Sequence, residues 1–179
     1  MEAILHEMMV VTGGKKAGKE SFTDRLTKLE IIGVYSPIGH EMQMPFSMVL
    51  SSVLAKQRRI LYINLMQNTG FLQLFDSQAE YDIGDLTLRL RRGTTESEQF
   101  FQSIYEMGDF SYVAPFRNPE QLGEFQMDDY RKLLAHLEEN TKFDTVVFDF
   151  GTGIPSIAAF LEECSSIYCP VKEGYFYEC

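Results

Sequence analysis

Hydrophobic positions along this chain fall into two kinds of run. Ile31-Ile32-Gly33-Val34-Tyr35, Ile60-Leu61-Tyr62-Ile63-Asn64-Leu65 and Thr145-Val146-Val147-Phe148-Asp149-Phe150 are short and almost continuously apolar. Such runs read as strands buried on both faces, as in the centre of a parallel sheet. Ser166 to Cys169 predicts a further strand, and Phe110 to Ala114 a short one closed by Pro115. Between them lie segments with helical spacing. After Gly39, Phe46, Val49, Leu50, Val53 and Leu54 form one apolar stripe, and Pro45 sits in the first turn, where a missing N–H is harmless. Asp82 to Arg91 and Glu96 to Met107 also read as helices, the second opened by a Thr95/Glu98 capping box with Phe100, Phe101, Ile104 and Tyr105 inward. Met127 to Asn140 carries Tyr130, Leu133, Leu134 and Leu137 on one face, and Pro155 to Glu163 is a last helix. Strands alternating with helices predict an α/β fold, a three-layer sandwich around a mostly parallel sheet with right-handed crossovers.

The first 28 residues fit that pattern less well. Ala3 to Val11 is apolar-rich, Ser21 to Lys28 reads as a short helix, and Thr12 to Glu20 reads as a flexible basic linker. Gly13 to Lys19 fits G-x-x-x-x-G-K, but Glu20 stands where a Ser or Thr hydroxyl would bind Mg²⁺, so a solvated linker is the better reading.

Composition narrows the function classes. The 179 residues are 45% hydrophobic and 23% charged, with a net charge of -10. A surface of that sign repels phosphate backbones and speaks against nucleic acid as a partner. Cys164, Cys169 and Cys179 have no metal-ligand spacing, and no His/Cys/Asp cluster suggests a metal. No apolar run approaches the roughly 18 residues of a membrane span, and Met1-Glu2-Ala3 does not open a signal-peptide pattern; the three unframed cysteines read as reduced thiols, so a cytoplasmic protein is expected.

The turn between the first strand and its helix carries the chemistry. It reads Ser36-Pro37-Ile38-Gly39-His40-Glu41-Met42-Gln43-Met44-Pro45. A phosphate-binding loop occupies such a place, with glycines that let backbone N–H groups face phosphate, a lysine, and a hydroxyl for Mg²⁺. Together with GVYSPIG, LAKQRRILYINL, FDTVVFDFGTG and IYCPV, this turn resembles the MinD/ParA family of P-loop ATPases (the SIMIBI class), most nearly its CpaE/TadZ branch linked to Tad pilus assembly. The resemblance runs from about Leu29 to about Val171. It implies a P-loop NTPase-like domain over 29–179, shortened at its C-terminus, with 1–28 as the linker or tail of a missing N-terminal domain. Within that reading, Ala3 to Val11 is similar to the helix that follows a receiver-like domain.

Mapped on this sequence, the family's first lysine falls on Ile38, its glycines on Gly39, His40 and Met42, its phosphate-gripping lysine on Gln43 and its Mg²⁺-binding hydroxyl on Met44, with Glu41 between. Its second-strand aspartates fall on Asn64 and Met66, and its Walker B aspartate on Asp149. Only Gly39 and Asp149 keep the family's residue. The resemblance thus implies a vestigial nucleotide site, no cofactor, and a non-catalytic pseudo-ATPase scaffold in pilus or secretion assembly. Its partners would be proteins, among them a second copy and pilus components, which recruit it to the inner membrane face. The alternative is an active switch ATPase that binds ATP with Mg²⁺. Asp149 reads either as the neighbour of a lost metal or as a cap of the turn at Gly151 and Thr152. His40 and Glu41 read as an exposed loop pair. Apolar Ile38, Met42 and Met44 suggest a docking face on the loop side, or residues folded onto the core.

Overall fold

The computed structural model describes residues 8–11, 29–67, 70–71, 79–93 and 100–171; for 8–11 only the backbone is described. Seven strands form one sheet: β1 (Met8–Val11), β2 (Glu30–Tyr35), β3 (Ile60–Leu65), β4 (Ile104–Met107), β5 (Phe110–Val113), β6 (Thr145–Phe150) and β7 (Ser166–Pro170), in the spatial order β1-β7-β2-β6-β3-β5-β4. The inner pairings β7-β2, β2-β6, β6-β3 and β3-β5 are parallel, and only the two edge pairings are antiparallel. The four strands expected at the centre are all there.

Helices cover both faces, giving the expected three layers. α1 (Gln43–Ala55) lies on one face. α2 (Ile83–Arg92), α3 (Met127–Asn140) and α4 (Ile157–Glu162) lie on the other, with a 3-10 turn at Pro119–Glu124. The two-residue period of the strands builds two cores from the same sequence. Leu61, Ile63, Leu65, Val146, Phe148 and Phe150 pack against Ile83, Leu86, Tyr130, Leu133, Leu137 and Phe160. Ile32, Val34, Ile60, Tyr62 and Val147 point the opposite way, toward Met44 and Phe46 of α1. Asp82 caps α2, accepting from Asp85 N at 2.9 Å, and Asp129 ties α2 to α3 through a bidentate bond from Arg91 at 2.6 Å. Burial pushes the Asp129 carboxyl up, but the Arg91 guanidinium and the Gln126 N–H outweigh it and hold the group below its usual range. Cys164 is buried, and burial pushes its thiol up to about 12, as suits an apolar filler; Cys169 is half-buried.

Several expectations are corrected. Met8–Val11 is not a helix but an edge strand on β7. Ile104–Met107 is a strand, not the end of a helix: it turns at Gly108 (φ +58°) and pairs back on β5 as a hairpin. Phe100 is buried as expected, while Phe101 is 48% exposed rather than inward. The stripe assigned to α1 is half wrong. Gln43, Met44, Phe46, Ser47 and Ser51 are buried, whereas Val49 and Val53 are 50% and 54% exposed. Packing selected the face carrying Gln43 and Ser47 because the strands beneath it offer them polar partners, while Ser51 Oγ donates back to the Ser47 carbonyl. The Ser21–Lys28 helix, the Gly13–Lys19 segment, the Thr95/Glu98 box, Phe75 and Cys179 lie outside the described residues.

Candidate functional site

Strand parity gathers the candidate residues. Asn64 lies opposite Asp149 in the β3-β6 register, and Val34 lies opposite it in the β2-β6 register. Asp149, Asn64 and Tyr62 therefore share the face that α1 covers, at the C-terminal ends of the strands, where open α/β sheets place their sites. The turn Ser36–Met42 then delivers the first residue of α1, Gln43, directly over Asp149.

Gln43 is 1% exposed. Its Nε2 donates to Asp149 Oδ1 at 2.6 Å and to the Phe150 carbonyl at 2.9 Å, with the Val34 carbonyl at 3.3 Å and Met66 Sδ at 3.6 Å. Its Oε1 accepts from Ser36 N at 2.8 Å. An amide matches this place because it donates and accepts at once; an ammonium would leave the Ser36 N–H without a partner. The other carboxylate oxygen of Asp149 accepts from Ser47 Oγ at 2.6 Å and Tyr62 OH at 2.9 Å. Asn64 Nδ2 donates to Tyr62 OH at 3.1 Å, and Asn64 Oδ1 accepts from Met66 N at 3.0 Å.

All these donors to Asp149 are neutral. Burial pushes the Asp149 carboxyl above its ordinary value, against the pull of the bonds from Ser47, Gln43 and Tyr62. Burial and the neighbouring Asp149 charge push Tyr62 well up in turn. The cluster is closed on itself: the hydroxyls of Ser47 and Tyr62 and the amide of Gln43 all point into the carboxylate.

The loop is closed on itself as well. Gly39 takes a left-handed conformation (φ +63°) that its lack of a side chain permits. Gly39 N donates to Ser36 O at 3.0 Å, His40 N to Ser36 Oγ at 3.2 Å, Met42 N to His40 Nδ1 at 3.0 Å and Gln43 N to His40 O at 3.0 Å. With Ser36 N already on Gln43, five backbone N–H groups between Ser36 and Gln43 are bonded within the turn or its helix. These are the groups that a phosphate loop turns toward its ligand.

Of the residues singled out in the sequence, Gln43, Asn64, Met66 and Asp149 come together in the cluster. Ile38, Glu41 and Met42 are exposed, Ile38 at 40% and Met42 at 42%, while Met44 is 9% exposed and belongs to the core. Of the two readings of Met44, docking face or core, the structure takes the core, because its position on α1 points it at the sheet. His40 and Glu41 do not act as an exposed pair: His40 is half-buried and its ring accepts from the loop backbone. Asp149 does not cap the Gly151-Thr152 turn, since its oxygens serve α1 and β3. Sequence reasoning missed Ser36, Ser47 and Tyr62. Polar residues at Gln43, Ser47 and Ser51, four apart in an otherwise uncharged helix, were the available signal. Among the described residues no group of three or more His, Cys, Asp or Glu is placed to hold a metal ion, and no helix is long and apolar enough to cross a membrane.

No protein-family model matches the sequence, and no curated protein matches it in sequence. Solved structures do match its shape. A ParA family ATPase from Chlorobium tepidum TLS superposes with a TM-score of 0.61 at 13% identity, over 77% of this chain and 58% of that one. The kinase domain of the Escherichia coli tyrosine kinase ETK gives 0.61 at 19% identity, over 86% and 60%. A chain of the MinC:MinD cell division protein complex of Aquifex aeolicus matches with 0.54 at 15% identity, over 75% and 53%. The chain thus spans little more than half the length of these relatives in shape. At such identities the likeness establishes the fold, and that fold is the one of ParA/MinD-type P-loop ATPases.

Proposed function

We propose that this chain is a pseudo-ATPase: a ParA/MinD-type domain that holds no nucleotide and serves as a protein scaffold. The observation that carries this reading is Gln43. It stands where the resemblance puts the phosphate-gripping lysine, and its side chain turns back onto Asp149, the Phe150 carbonyl and the Ser36 N–H. An ATP phosphate entering this turn would have to replace five internal bonds of the backbone without a lysine to offset the cost. Glu41, exposed on the turn, adds repulsion. In the branch that the sequence resembles, the corresponding role is the placing and assembly of a pilus or secretion apparatus at the inner membrane face, and we extend that role to this chain. The domain that does this work runs over 29–179, joined by the β1 strand from the segment before it.

The test is a comparison of ATP turnover in the natural chain and in the triple variant Met42→Gly, Gln43→Lys, Met44→Thr, by phosphate release. The natural chain stays at background. Turnover by the natural chain above that of an Asp149→Ala control would overturn the pseudo-ATPase reading. For the scaffold role, deletion of the gene in its host should abolish surface filaments or secretion, and the natural chain should restore them; unchanged filaments and secretion would overturn that part.

A further inference from the structure

The cluster around Asp149 holds one group that a small reagent can change, the thioether of Met66. Its Sδ stands 3.6 Å from Gln43 Nε2, beside three oxygens that share the same nitrogen: Asp149 Oδ1 at 2.6 Å, the Phe150 carbonyl at 2.9 Å and the Val34 carbonyl at 3.3 Å. A primary amide has two N–H groups, so acceptors already outnumber donors here. A thioether suits the place because it is a weak acceptor and leaves both N–H groups to oxygen. Ser36, Gln43, Ser47, Tyr62, Asn64 and Asp149 are all buried, whereas Met66, just past the end of β3, is half-buried. Met66 is thus the member of the cluster within reach of a small oxidant.

We propose that Met66 is a reversible oxidation site whose sulfoxide unseals the turn. The co-reactant is a peroxide. A lone pair of Sδ attacks one peroxide oxygen, the O–O bond breaks and an S–O bond forms. The proton on the transferred oxygen goes to the departing hydroxide, which leaves as water; sulfur gives up two electrons and the peroxide takes them. The new oxygen accepts hydrogen bonds and donates none, and it arrives among three other acceptors. The backbone cannot carry it away. Met66 N donates to Asn64 Oδ1 at 3.0 Å, Gly151 N donates to the Leu65 carbonyl at 2.9 Å, and a Cβ at Gly151 would lie 2.9 Å from Met66 Cα. The donor beside the sulfoxide is Gln43 Nε2. If the amide turns to it, Asp149 or Phe150 loses a bond and the Ser36 N–H loses Gln43 Oε1. If the amide stays, an unpaired dipole lies against a carboxylate and two carbonyls. Either arrangement destabilises the closed turn. Oxidation thus regulates this same turn, an inference that rests on Gln43 sealing it in the reduced chain.

Treatment of the full chain with hydrogen peroxide tests this, with each methionine followed by peptide mapping and the exposed Met42 (42%) as internal reference. Met66 sulfoxide should form at peroxide concentrations within about tenfold of those that oxidise Met42. In amide exchange followed by NMR, the Ser36 N–H should then exchange about tenfold faster or more, while the β5 amides of Ser111–Val113 keep their protection. Methionine sulfoxide reductases acting on the two epimers should restore the slow rate. Met66→Leu, which keeps the volume and removes the sulfur, should hold the Ser36 rate to within about threefold before and after peroxide. Met66 intact when Met42 is fully oxidised, Ser36 exchange unchanged in the oxidised chain, β5 protection lost together with that of Ser36, or the same acceleration in Met66→Leu overturns the proposal and leaves the pseudo-ATPase reading standing. Ser36 exchange already fast in the reduced chain overturns the sealed turn itself, and both readings with it.

Discussion

Replacing Gln43 by Ala should cost this protein a large share of its stability, although the residue lies in a turn-to-helix junction and no hydrophobic group is lost. Three consequences add up. The Ser36 N–H, in a residue with no exposure, loses its acceptor at 2.8 Å, and an orphaned buried donor costs about 1–3 kcal/mol. Asp149 loses a donor at 2.6 Å, a bond to a charge-bearing group worth about 1.5–3 kcal/mol. The Phe150 carbonyl loses a third partner, and a water entering the vacated space returns part of the total. The sum is about 3–5 kcal/mol, against the ~5–15 kcal/mol by which such domains are stable. At ~2–4 °C per kcal/mol for a chain of this size, the melting temperature should fall by roughly 6–20 °C. The chain has no tryptophan, so urea unfolding is best followed by circular dichroism at helical wavelengths. Gln57→Ala, an exposed glutamine just past the same helix, is the control and should stay within about 0.5 kcal/mol. Gln43→Ala within about 1 kcal/mol of the natural chain would refute the claim that the amide closes the site.

Asp149→Asn reports on the same cluster through pH. The folded carboxyl is raised above the unfolded value of 3.8, so the natural chain is at its best below that value and loses stability as pH rises through the folded value. The Asn variant has no such loss, and its stability relative to the natural chain should climb as pH rises above about 4; a constant difference would show that Asp149 is not perturbed. His136 works in the opposite sense. Burial beside Phe100, at 4.3 Å between ring centroids, lowers its basicity against the pull of Glu139, so stability is full above the ordinary value of 6.5 and lost as pH falls through it. His136→Gln should flatten urea midpoints between about pH 5 and 7, and an unchanged slope would assign that acid sensitivity to other groups.

How much of this could be read from the sequence depends on what decided each element. β3 and β6 were legible because strands buried on both faces must be apolar throughout, and the partly buried β2 and β7 because their short apolar runs stand between helical segments. α2 and α3 were legible because one face of each meets a core and the other meets water. β4 was not: Phe100, Phe101, Ile104 and Tyr105 satisfy helical spacing, and only pairing with β5 across the Gly108 turn decides otherwise. The edge strand Met8–Val11 owes its state to β7, far along the chain. α1 was legible as a helix but not in its orientation, because Gln43 and Ser47 outweigh Val49 and Val53 once Asp149 and Tyr62 lie beneath them. At the site, the lack of a lysine and of any glycine but Gly39 was plain in the turn itself. The positive role of Gln43 was not, since it appears only when β2 and β6 bring Ser36, Phe150 and Asp149 within reach of one amide.

The central claim, that this turn is sealed by its own residues and takes no nucleotide, is tested most directly by titration calorimetry of the natural chain with ATP-Mg²⁺. The account predicts no binding tighter than about millimolar, the ~4 kcal/mol that a helix N-terminus and stray backbone contacts would supply. A dissociation constant in the micromolar range would contradict it, for it would mean that Gln43 leaves Asp149 and the turn opens to phosphate.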